Sequence, residues 1–384
     1  MLLGYKLSSI NSCSEAVRCQ TIAVDSQGVK MECFRIDESG YTGFDLLNVD
    51  QPFQGATAIA ISDDDAARLI KEHFPRLQAA ELKYSSLTRR QSNYPRILAL
   101  QRDLLAGYKC VSYVCDKRYL LLLMFLDYGV EPFYYERGLN FYEDGQNYSL
   151  ASLLYTVGPK LLGREAFEAL LAAFQRAVKE KTPESLRDLV ISARKTRWQE
   201  LPEALGPLAQ YADSDCLKAI ATPSVTTDAA LVVLQSLISR MEELASGPYR
   251  VEHDRSKNLL TYQDLLQRYI DHDEVAEFQQ SEIAGIKFPL KLQAVSQVDS
   301  VASPAVQIAD VMIGATIEAA KMVAGLRETG IDGAAVLGAY KPDQFIHLVP
   351  SIDFEAQRKF RAGTQADKVI DYFAKNFQGP QSQR

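Results

Sequence analysis

The sequence predicts an α/β protein whose sheet is interrupted by a long helical stretch. Three observations lead there. Short alternating or β-branched runs are interleaved with amphipathic runs over residues 31–128, helical periods replace strand signals over 129–247, and extended segments return after 247 ahead of one long apolar helix. The chain has 384 residues, 47% hydrophobic and 24% charged, which is the composition and length of a folded protein with a sizeable core.

Residues 31–37 alternate apolar and polar side chains, and Glu38, Ser39 and Gly40 follow, so a strand is expected to enter a tight turn. A second strand is expected over 44–49 and a third over 56–61, where small and β-branched residues cluster. Ser62 then precedes Asp63, Asp64 and Asp65, a cap followed by acids suited to the positive end of a helix dipole. An amphipathic run covers 94–105, and the apolar run from Cys110 to Cys115 reads as a strand ending at Asp116. The longest apolar run, Leu120 to Leu126, is far below the roughly 18 residues that span a bilayer and reads as a buried helix.

Over 129–247 apolar residues recur at helical spacing, as at Phe167, Leu171 and Phe174 and at Leu231, Leu234 and Ile238, with breaks at Pro202, Pro207 and Pro223. Residues 249–254 and 288–298 read as a return to extended structure. In the final long helix Ser303 is positioned to cap, Pro304 sits in the first turn where its missing donor is harmless, and apolar residues run on to Val323. The chain therefore divides into a weakly patterned extension (1–30), a first core part (31–128), a helical insertion (129–247), a second core part (248–326) and a C-terminal extension (327–384).

Composition narrows the function. The net charge of −7 argues against bulk electrostatic coating of nucleic acid. One basic island, 83–118, holds eight cations against Asp103 and Asp116, and its simplest reading is a solvated helix face. The six cysteines contain no C-x-x-C pair and read as free thiols, and none of the four histidines has zinc-module spacing. With no secretory leader pattern and no membrane-spanning run, the expected location is the cytoplasm. No phosphate-binding G-x-x-x-x-G-K-[ST] loop, G-x-G-x-x-G turn or G-x-S-x-G elbow occurs. The aromatic residues Phe133, Tyr134, Tyr135, Phe141, Tyr142 and Tyr148 read first as a core beneath the insertion, and the acidic run 271–274 as a solvated helix end.

Acidic residues in apolar settings are the candidates for chemistry. Asp37 ends a strand that looks buried, where it either organises the turn or binds a cation. Asp310 is the only charge in its helix before Glu318, and an ionised carboxylate there requires an ion pair, hydrogen bonds or a metal. Gln307, Asp310 and Gly314 fall on one face, with glycine permitting close approach by another segment. Glu81 beside Lys83 and Asp254 read individually as surface ion pairs.

Together, Asp37-Glu38-Ser39-Gly40 with Tyr41-Thr42-Gly43, Glu81-Leu82-Lys83, Asp254, Val298-Asp299-Ser300 and Gln307-Ile308-Ala309-Asp310 form a pattern that resembles the domain of unknown function 3800 family over roughly residues 31–325. The resemblance implies a ribonuclease H-like mixed sheet with flanking helices and a variable helical insertion. It also implies a metal-dependent nuclease whose acids gather at a sheet edge. By that resemblance Asp37, Glu81 and Asp310 match the site acids, with Asp254 and Asp116 competing for the remaining place. The chain departs from the pattern in carrying about thirty residues before its first strand.

Such acids would hold Mg²⁺ or Mn²⁺, and the implied partner is nucleic acid, with Lys83 countering phosphate charge. The alternative is a non-catalytic interaction protein that recruits a protein partner through residues 129–247.

Overall fold

The computed structural model describes residues 31–142, 145–255, 261–279, 285–361 and 365–377. The N-terminal extension 1–30 and the last seven residues lie outside them. A mixed six-stranded sheet is made by β1 (Glu32–Ser39), β2 (Phe53–Ile59), β3 (Cys110–Asp116), β4 (Tyr249–Asp254), β7 (Leu292–Val298) and β8 (Phe345–Leu348), in the order β7-β4-β1-β2-β3-β8. β1, β2 and β3 form an antiparallel meander, β4 and β7 add in parallel beside β1, and β8 adds in parallel beside β3. A small antiparallel pair, β5 (Ala276–Gln279) and β6 (Gly285–Phe288), stands apart from it.

The helices before residue 131 are α1 (Asp63–His73), α2 (Tyr84–Leu87), α3 (Tyr94–Gly107) and α4 (Lys117–Gly129). Residues 131–244 carry α5 (Glu131–Tyr135), α6 (Gln146–Leu161), α7 (Arg164–Glu180), α8 (Pro183–Lys195), α9 (Pro202–Ala209), α10 (Ser214–Ala221) and α11 (Ala229–Leu244). After them come α12 (Gln263–Ile270), α13 (Pro304–Val323), α14 (Gly333–Leu337), α15 (Phe354–Arg361) and α16 (Ala366–Phe377). Among the described residues no helix is long and apolar enough to cross a membrane.

Strand alternation sorts the side chains of β1. Phe34 and Ile36 face one side, where they join a continuous apolar cluster with α4, α11 and the other insertion helices. Arg35 and Asp37 face the other side, which α13 covers. There Ile59, Leu82, Ile97, Leu100, Ile308 and Met312 build a second core with α1, α3 and α14. The apolar residues of 131–244 are thus part of the cluster under the sheet, where Tyr134 stacks on Phe141, while Phe133 at its margin stacks on exposed Tyr211.

Two expectations need correction. No strand forms over 44–49. Asp45 gathers that stretch into turns, its carboxylate accepting the Leu47 amide (3.3 Å) and the Asn48 side chain (3.1 Å), while Gly40 and Gly43 hold positive φ on the way in. Asp37 also does not end its strand: β1 runs through Glu38 and Ser39, and the chain turns at Gly40, where an added Cβ would meet the Phe53 carbonyl at 2.0 Å. Cys33, Cys110, Cys115 and Cys216 are free thiols, and Cys13 and Cys19 lie outside the described residues.

Candidate functional site

α13 positions the site through one stripe of residues. Ser303 caps the helix by accepting the Val306 amide and Pro304 opens it, so the stripe begins in a fixed register. Gln307 Oε1 accepts the Leu82 amide at 2.8 Å, and Asp310 Oδ2 accepts the Tyr84 amide at 2.6 Å. The Tyr84 ring then lies across Gly314, where a Cβ would stand 2.5 Å from the ring, and the Tyr84 hydroxyl donates to Glu318 at 2.7 Å. Residues spaced three and four apart along the helix therefore hold the Glu81–Tyr84 segment, point by point, against its face.

That segment brings Glu81 and Lys83 to the sheet. Lys83 pairs with Glu81 at 3.2 Å, and the Ser300 hydroxyl donates to Glu81 Oε1 at 2.6 Å. The Ser300 amide donates to Asp254 Oδ1 at 3.2 Å, so this one residue joins the carboxylates of two separate elements. Gln307 also donates to the Ser300 carbonyl at 2.7 Å, which ties the turn to α13.

Asp254 ends β4 one step beyond the Ile36–His253 pair, so Asp37 and Asp254 stand on adjacent strands roughly 4.8 Å apart along the backbone. Asp37 accepts the Glu38 amide at 2.8 Å. Burial, then the negative charges of Asp310 and Asp254, push the Asp37 carboxyl well above the usual carboxylate range. Asp310 is also raised, chiefly by burial, with Glu81 and Asp254 adding to the shift while the Tyr84 amide and Lys83 oppose it. Desolvation pulls Lys83 down, but Glu81, Asp310 and Asp254 outweigh it and raise the ammonium's pKa. Electrostatically, Asp37, Glu81, Asp254, Asp310 and Lys83 form one group.

Asp116 is elsewhere. The pairings Asp37–Thr57 and Thr57–Ser112 place it two strands across and four residues along from Asp37, about 15 Å away. It caps α4, accepting the Tyr119 amide (2.9 Å) and the Tyr155 hydroxyl (2.8 Å). Beside the acidic group on the same sheet face, Arg35 pairs with Glu252 (2.9 Å) and with Asp63 (3.4 Å), an arrangement sequence reasoning did not anticipate. It also missed Lys117, whose buried ammonium, lowered to about 8 by desolvation, donates to the Gly40 carbonyl and the Thr42 hydroxyl, both at 2.8 Å. The position of Lys117 among solvent-seeking cations gave no sign of that burial. Ser300 belonged to a quoted motif, but no local signal linked it to Glu81.

Among the described residues no group of three or more His, Cys, Asp and Glu side chains is placed so that it could hold a metal ion. The donor chemistry of the acidic group is carboxylate oxygen without thiolate or imidazole, which suits a hard cation such as Mg²⁺ or Mn²⁺. No protein-family model, curated protein or solved structure matches the chain.

Proposed function

We propose that Asp37, Glu81, Asp254 and Asp310 hold divalent metal and that the chain is a metal-dependent nuclease. The observation that carries this reading is the convergence of four carboxylates from separate elements, with Asp37 raised by burial and then by the charges of Asp310 and Asp254. Lys83 is the one cation in the group, and a divalent cation would offset the repulsion that remains among four acids. Bound Mg²⁺ or Mn²⁺ would supply an activated water and a Lewis acid for phosphodiester hydrolysis. Ser300 orients Glu81 and Asp254, the Tyr84 amide orients Asp310, and exposed Lys83 offers a positive charge to a phosphate.

The β1-β2-β3 meander, extended at the β1 edge by parallel β4 and β7, is consistent with the ribonuclease H-like fold that the resemblance implies. The test is cleavage of labelled DNA and RNA oligonucleotides in Mn²⁺ by the wild type, Asp37→Asn and Asp310→Asn. Loss in both variants, with melting temperatures within a few degrees of wild type, is expected. Unchanged cleavage in both overturns the reading.

A second reading, an interaction protein that recruits a protein partner through residues 129–247, draws on exposed Tyr135, Leu139 and Tyr211 in that region, which are 63%, 56% and 57% exposed. It predicts a partner lost when those side chains become polar and no effect of divalent metal on the complex.

A further inference from the structure

The structure splits the basic island into spent and unspent charges. Lys117 is buried on Gly40, Lys109 pairs with Glu32 at 2.8 Å, and Arg118 makes two 2.7 Å hydrogen bonds to Glu168. What remains is the run from Lys83 to Arg102, which contains no acid: Lys83 pairs with Glu81 just before it, and Arg89, Arg90, Arg96 and Arg102 are left, in a chain of net charge −7. All five are exposed, and among the described residues none of the four arginines takes part in an ion pair.

Placement joins three of those arginines to the site. α2 is one turn long and is anchored at its first residue by the Tyr84–Asp310 bond, so the chain leaves the acidic group and reaches Arg89 and Arg90 directly after it. The connection is tight: the Asn93 amide bonds the Arg90 carbonyl at 2.9 Å, and the Asn93 side chain bonds the Leu87 carbonyl at 2.9 Å. Arg96 follows in the first turn of α3, roughly 10 Å from Arg90 by the rise of the intervening turns. Arg102 points about 120° away round that helix and is not part of the group.

The first turn of α3 has no acid and its Asn93 makes no side-chain cap, so Arg96 stands where helix polarity disfavours a cation, with two unpaired arginines beside it. An external polyanion would supply the anionic partner that the three arginines lack. Resting on the nuclease reading, we propose that Arg89, Arg90 and Arg96 form a phosphate-backbone track that carries a nucleic-acid strand to Lys83 and the acidic site. Recognition by the track is through backbone charge, independent of base sequence.

The experiment measures fluorescence anisotropy of labelled 20-nucleotide single-stranded DNA, single-stranded RNA and duplex DNA in EDTA, from about 50 to 200 mM salt. The proteins are wild type, the triple variant Arg89→Gln/Arg90→Gln/Arg96→Gln, and Asp310→Asn, each with a thermal melt and a separate Mn²⁺ titration. The triple variant, folded and with its Mn²⁺ binding intact, is expected to bind at least about tenfold more weakly at low salt. Its slope of log affinity against log salt should be smaller by about 2 to 3, from three lost phosphate contacts. The strand type with the largest loss identifies the cargo. Unchanged affinity and slope in the triple variant overturn the track and leave the acidic site standing. Absence of binding by the wild type in every arm also overturns the track, and the Mn²⁺ titration then decides the metal site separately.

Discussion

At the scale of single residues, stability and function pull Asp37 in opposite directions. Its carboxyl is raised in the folded protein by burial and by Asp310 and Asp254, so the native state holds the proton more tightly than the unfolded chain does. Stability from this group is therefore present at low pH and lost as pH rises through the native pKa. Asp37→Asn, which keeps an acceptor for the Glu38 amide, should raise the metal-free melting temperature at pH 7 by about 1 to 3 °C while abolishing Mn²⁺ binding. A lower melting temperature would show that Asp37 is a structural carboxylate. Ser300→Ala removes the hydroxyl that orients Glu81 but no proposed ligand, so Mn²⁺ affinity measured by calorimetry should fall about tenfold or more, with the fold intact. Equal affinity would mean that Ser300 only closes a turn.

At the scale of elements, α13 was the most legible part of the site. Its cap, its apolar run and the three-and-four spacing of Gln307, Asp310 and Gly314 are local signals, and the structure uses each of them. Glu318 extends the stripe, but its partner is a tyrosine 234 positions away in sequence, and no local pattern encodes that. The same limit hid the Ser300–Glu81 contact, across 219 positions, and the burial of Lys117. The strand expected over 44–49 failed because Asp45 and two glycines offered the backbone a turn that outweighed a short apolar run. Gly314→Ala should push the Tyr84 ring off α13 and cost about 1 to 3 kcal/mol by denaturant midpoint. No loss would mean that the segment carrying Glu81 is loosely held. In α4, burial raises the Asp127 carboxyl to about 7 despite hydrogen bonds from Asn147 and Tyr142. Its contribution to stability should fall as pH rises from about 4 to 7, so Asp127→Asn should gain on wild type at pH 8 and lose that gain near pH 4. Parallel stability curves for the two proteins would contradict this.

At the scale of the molecule, the α/β class and the helical stretch between β3 and β4 were readable because strand and helix periods differ over long segments. The edge strand β8 was not, since four residues carry too little pattern to stand out. The sheet brings Asp37 and Asp254 together, α13 supplies Asp310, and the Glu81–Tyr84 segment crosses between them. The proposed nuclease activity depends on whether that convergence binds metal. The most direct test is calorimetric titration of Mn²⁺ and Mg²⁺ into the wild type and Asp310→Asn, with a thermal melt of each. Saturable binding by the wild type, together with a rise in its melting temperature, is expected, and loss of both in a variant that remains folded. Equal binding by the two proteins, or none by the wild type, would contradict the proposal.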